Sequence, residues 1–161
     1  MSNKYAPHVV LIPEDHANEQ LANGFALHHG VRDRLIEIRN PAGGWGHVLD
    51  VFTKEIIPYL KSCRSAHAVL LVDFDESDER GAICEGRIPA ELKDRVFVIG
   101  SWATPEDAKR DFKMGLEAIG QALAEECSRE KEGLWASRHF GHNAEVLERL
   151  AAIVKPILFG P

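Results

Sequence analysis

Two aspartates one residue apart, Asp73 and Asp75, close an unbroken apolar run from Ala68 to Val72. A third acid, Glu14, closes an earlier apolar run, Val9-Val10-Leu11-Ile12-Pro13. Carboxylates held together repel unless a cation, a proton or solvent compensates. A donor set of oxygens alone suits a hard cation. Mg²⁺ keeps several waters and is held by one or two carboxylates plus substrate phosphate, and Mn²⁺ favours the same oxygen donors. Zn²⁺ prefers nitrogen and sulfur, so it fits this trio less well. The chemistry is therefore cation binding at Glu14, Asp73 and Asp75, with Glu14 also placed to act as general acid or base.

Other side chains qualify around those acids. His16 stands two residues after Glu14, within reach of the same pocket. Ser101 follows another apolar run and could bind phosphate. Phosphoryl transfer also needs a base to neutralise charge; Arg80, Arg87 and Lys109 are the candidates, and each reads equally as a solvated surface charge. His139-Phe140-Gly141-His142 is an HxxH, but its glycine weakens a helical pairing. Trp45, Trp102 and Trp135 fall in loop-like segments, where tryptophans serve as stacking platforms or plug the end of a core.

The elements that must position these groups follow from apolar spacing. Strands are predicted at Val9–Pro13, Leu35–Ile38, Ala68–Val72 and Arg95–Gly100. Each is a short run bounded by turn residues, and the third reads as buried on both faces. Asp15 caps a helix carrying Leu21, Phe25 and Ala26. Asn40 to Gly46 is a glycine-rich loop, and Val48 to Leu60 a helix that Pro58 kinks or shortens. Glu76 to Gly81 reads as a polar turn, and Pro89 to Asp94 as one helical turn. Thr104-Pro105-Glu106-Asp107 starts a helix strongly, with a break near Met114-Gly115. Lys131 to Gly141 is irregular. A last helix from about Asn143 ends at Lys155-Pro156. Strands alternating with helices predict an α/β fold: a mostly parallel four-stranded sheet with helices on both faces. In such sheets ligands bind at the carboxyl ends of the strands, where the acids stand.

The chain has 161 residues, 45% hydrophobic and 27% charged, as expected for one globular domain. Residues 131–161 read as a C-terminal helical extension of it. A net charge of −6 argues against broad coating of nucleic acid or anionic lipid, though a bound cation reverses the local sign. Cys63, Cys84 and Cys127 form no CxxC pair, and reduced thiols point to the cytoplasm. Met1 to Pro7 lacks the apolar core of a signal peptide, and no apolar run is long enough to span a membrane.

The first strand ending in Glu14, its helix, and then Leu70-Leu71-Val72-Asp73-Phe74-Asp75 resemble the TOPRIM pattern. That domain occurs in topoisomerases, bacterial primases, recombination mediators and nucleases of the overcoming-lysogenisation-defect family. The resemblance covers roughly residues 8–125 and extends to small stand-alone bacterial TOPRIM-related proteins. Asp15 stands where the family usually has glycine. The resemblance implies a Rossmann-like sheet, Mg²⁺ held by Glu14, Asp73 and Asp75, an acid/base role for Glu14, and phosphodiester or nucleic-acid substrates, as in a nuclease component. Two other readings remain. One is a catalytically inactive TOPRIM-like module that binds nucleic acid or a partner protein, including a homodimer. The other, more distant, is a receiver-like signalling domain phosphorylated on Asp73.

Overall fold

The computed structural model describes residues 6–161. Four strands, β1 (His8–Pro13), β2 (Ile36–Ile38), β3 (Ala66–Leu71) and β4 (Val96–Ile99), form one sheet in the order β2-β1-β3-β4. All neighbouring pairs are parallel. The α/β class expected from the alternating runs is observed, with an all-parallel sheet.

Helices cover both faces, as parallel crossovers require. α1 (His16–Leu27) follows β1. Between β2 and β3 runs a continuous helical stretch: α2 (Trp45–Val51), a π segment (Phe52–Ile56) and α3 (Ile57–Ser62). The π segment lies just before Pro58, whose missing N–H removes an α-type bond, so the stretch survives a residue that would otherwise break it. α4 (Asp78–Gly86) links β3 to β4. α5 (Pro105–Phe112), α6 (Leu116–Arg129), α7 (Ala144–Ile153) and α8 (Lys155–Phe159) follow.

α4 differs from the polar turn expected over Glu76 to Gly81. Ser77 caps it by accepting from the Glu79 N–H at 3.1 Å, and Asp78 and Glu79 occupy its first turn, where acids complement the helix dipole. Only Gly81 and Cys84 are buried on it, so its apolar periodicity is faint. The helix from Asn143 ends at Ile153, just before Lys155-Pro156 as expected, and Pro156 opens a further short helix. It sits in the first turn of α8, where proline is tolerated.

One face of the sheet packs Val10, Ile12, Ala68, Leu70 and Val98 under Phe52, Ile56, Leu60 and Cys84. The other packs Val9, Leu11, Val69 and Phe97 under Ala22, Val154 and Leu158. Residues 131–161 thus cover the same sheet rather than standing apart from it. Outside α1, α6 crosses at backbone contact, with Gly24 and Gly120 at the crossing. No helix among the described residues is long and apolar enough to cross a membrane.

Candidate functional site

β1 and β3 are central neighbours, paired from His8 with Ala66 to Pro13 with Leu71. The chain leaves β1 toward β2 through α1 and leaves β3 toward β4 through α4, on opposite faces of the sheet. A crevice opens where such connections diverge, beyond the carboxyl ends of the strands. Glu14 and Asp73 stand in it. The Glu14 N–H donates to the Leu71 carbonyl at 2.9 Å, which continues the ladder past β1. The Asp73 N–H donates to Glu14 Oε1, also at 2.9 Å.

Asp15 completes a trio. Ligand oxygens of Glu14, Asp15 and Asp73 all lie within 4.8 Å of one another. Asp15 caps α1 as expected, its Oδ1 accepting the Asn18 N–H at 3.0 Å. Asn18, fully buried, ties the group together: its Nδ2 donates to Asp15 Oδ1 at 2.9 Å and to Asp73 Oδ1 at 3.0 Å. Glu14 and Asp73 are also buried. Burial is the main force raising the Glu14 pKa, with the Asp73 N–H and Arg80 pulling it back and Asp15 adding to the rise. Burial pushes Asp73 up to about 7, against the Asn18 hydrogen bond and with help from Glu14 and Asp15.

Asp75 stands apart from the trio. Its side chain is 80% exposed and faces Arg80 Nη2 at 3.6 Å. The turn explains the separation. The Phe74 N–H donates to the Ser101 carbonyl and the Glu76 N–H to the Trp102 carbonyl. Asp75 and Glu76 are both left-handed, at φ 54° and 56°. Such a turn sends the second aspartate of the pair out to the rim.

Of the three candidate bases, Arg80 reaches the site. Its Nη1 donates to the Asp73 carbonyl at 2.8 Å, and its guanidinium lies 5.0 Å over the Trp45 ring. Trp45 opens α2 at the end of the glycine-rich loop, which is pinned to the site. The N–H groups of Gly43 and Gly44 both donate to the Glu14 carbonyl, at 2.9 and 3.0 Å. Gly43 and Gly44 have φ of 93° and 138°, values that side chains resist.

His16 turns away from the acids and pairs with Glu19 at 3.0 Å on the exposed side of α1. Ser101 is fully buried at the end of β4, and no hydrogen-bond partner meets its Oγ among the described residues. The HxxH histidines diverge. His139 Nε2 faces Asp111 at 2.8 Å, while the His142 ring packs against Phe74 and Trp102. No family model, curated protein or solved structure matches the chain. The functional reading therefore stands on the site's own chemistry.

Sequence reasoning missed Asn18 and the second role of Asp15. A signal was present: Asp15 and Asn18 flank the first turn of α1, and a cap's third neighbour faces the same end of the helix. Arg80 was less legible, because its placement depends on α4.

Proposed function

We propose that this chain is a divalent-cation-dependent α/β domain that acts on phosphodiesters. Glu14, Asp15 and Asp73 would hold Mg²⁺ or Mn²⁺, and Arg80 would hold a substrate phosphate. The observation that carries this reading is the convergence of three carboxylates within 4.8 Å at the switch point of the sheet. The donors are all oxygens, as Mg²⁺ prefers. Three oxygens on one Mg²⁺ include at least two pairs roughly 3 Å apart, so the trio would have to draw together to hold an ion.

A bound cation of this kind neutralises charge developing on the phosphoryl oxygens. The chain's own groups supply the rest. Arg80, already anchored to the Asp73 carbonyl, presents its guanidinium at the rim and can grip a phosphate oxygen in place of Asp75. Glu14, its pKa raised by burial, is suited to take a proton from an attacking hydroxyl or water when it is not itself holding the cation. Trp45 lies beside Arg80, its ring under the guanidinium and packed on the core. A non-catalytic binding module is favoured by one observation. The guanidinium is already engaged by Asp73, Asp75 and Trp45.

Titration with Mg²⁺ and Mn²⁺ separates these readings. Saturating ion should raise the Tm by roughly 5–10 °C, the size expected when ligand exceeds its Kd about a hundredfold. Glu14→Gln should remove most of that rise. With Mn²⁺ present, labelled single- and double-stranded DNA and RNA should be cut. Arg80→Ala should slow cutting on the order of a hundredfold while leaving the Tm rise intact. No Tm response to any divalent ion would sink the cation site. A full Tm response with no cutting would leave the binding module.

A further inference from the structure

The two faces of the sheet are sealed unequally. On the face under α2, α3 and α4, Val10, Ala68, Leu70 and Val96 have no exposure. On the face under α1, α7 and α8, Val9 and Phe97 are as well sealed, but Leu11, Val69, Leu71 and Ile99 keep 8%, 7%, 9% and 7%. α7 is the reason. It lies over this face, yet none of its residues is fully buried, whereas α1 and α6 each bury five. Between α7 and the α1–α6 pair a cavity of about 710 Å³ remains, floored by those strand residues. The cavity is open to solvent along one side, and small-molecule sites span roughly 300–1,000 Å³ with mostly apolar walls.

Its shape follows from α7 and α8. Ala144, Leu147, Ala151, Val154 and Leu158 all line it, a stripe at helical spacing that runs the length of both helices. Ten residues of α7 alone make a slot roughly 15 Å long. The opposite wall is Leu21 and Phe25 of α1 with Leu123 of α6. The rim is acidic: Glu130, Glu132 and Glu148 stand against Lys131 and Lys155, while the Glu126 carboxylate is taken up by the N–H groups of Gly133, Leu134 and Trp135. Lys155 is held by Glu130 at 3.1 Å, which leaves Glu132 and Glu148 against Lys131.

We infer that this slot binds an elongated hydrocarbon chain with a neutral or cationic head, the chain lying on β1, β3 and β4 beneath α7 and the head at the glutamate rim. The inference does not rest on the acid crevice, which opens elsewhere at the strand ends. It is tested with three probes of equal chain length: dodecylamine, dodecanol and dodecanoate, each below its micelle concentration. Native mass spectrometry should show one bound amine or alcohol per chain. The Tm should rise with both, and dodecanoate should bind about tenfold more weakly.

Ala151→Phe narrows the slot near the C-terminal end of α7, and Ala144→Phe narrows it from the N-terminal end. At least one should fold with an unchanged or higher Tm and lose the amine and alcohol response. The Mg²⁺ response should survive in both. The inference is overturned by any of three results: no saturable binding of either probe, binding undiminished in the folded filled variants, or dodecanoate binding tightest. Dimerisation of the native chain that Ala151→Phe abolishes would also overturn it, in favour of a second copy as occupant.

Discussion

In metal-free buffer at pH 8, Asp73→Asn should melt at a higher temperature than the native protein. Removing a buried charged partner usually destabilises a fold, so the sign is the informative part. Asp73 titrates near 7 in the folded chain against an ordinary value of 3.8. The folded state therefore holds this proton more tightly than the unfolded state does. Below the ordinary value both states are protonated and the fold keeps its full stability. As pH rises from about 4 toward 7 the unfolded chain ionises first and stability is lost; above 7 the loss is complete. A displacement of that size corresponds to at most roughly 4 kcal/mol, less what solvent at the pocket mouth screens. Glu14, also raised, adds to the same trend. The native Tm should fall by roughly 5–15 °C between pH 4.5 and pH 8, and the variant's should fall distinctly less. Saturating Mg²⁺ at pH 8 should reverse the order, raising the native protein and leaving the variant in place. Calorimetry that found the variant less stable at pH 8 without metal would show that Asn18 and the Asp73 surroundings fully compensate the ionised carboxylate.

Gly120→Ala should cost about 3 kcal/mol or more, a Tm drop of roughly 6–12 °C. On an exposed helix the same change stabilises by up to about 1 kcal/mol, because alanine is the better helix former. The crossing of α1 and α6 reverses the sign. A Cβ on Gly120 would meet the Leu21 carbonyl oxygen at 2.1 Å and the Phe25 nitrogen at 2.7 Å. A Cβ on Gly24 would meet the Glu117 carbonyl oxygen at 2.0 Å. These are backbone atoms and cannot swing aside, so the helices would have to separate. Gly46→Ala in α2, where an added Cβ meets nothing within 4 Å, is the control and should be neutral or mildly stabilising. Because α1 carries Asn18 and starts at the Asp15 cap, Gly120→Ala should also weaken Mg²⁺ binding from a distance. Equal melting of the two variants would count against close helix contact.

The sheet was legible because each strand is a short apolar run bounded by turn residues, and parallel order follows from interleaved helices. Glu14 and Asp73 were legible because they end two such runs. What the sequence could not carry was geometry set by contacts distant in the chain. The outward turn of Asp75 depends on two left-handed residues that are not glycine, held by carbonyls of Ser101 and Trp102. Arg80 belongs to the site only because α4 forms, and α4 is mostly polar. The polar turn expected there had the right composition but overlooked Ser77 as a cap. The position of Asn18 between two carboxylates depends on the pairing of β1 with β3, which no local pattern announces.

The strand order has a consequence for how the chain is born. β1 is made before both its neighbours; one edge of it can pair only with the three residues of β2 and the other must wait for β3. A nascent chain therefore presents His8–Pro13, wholly buried in the folded domain, as an unzipped apolar edge until β3 has emerged. Such edges recruit chaperones or neighbouring chains. Pairing of β3 ends that exposure, and in the same event brings the Asp73 N–H onto Glu14. The hazard of synthesis and the assembly of the acid crevice are thus timed by one zippering step.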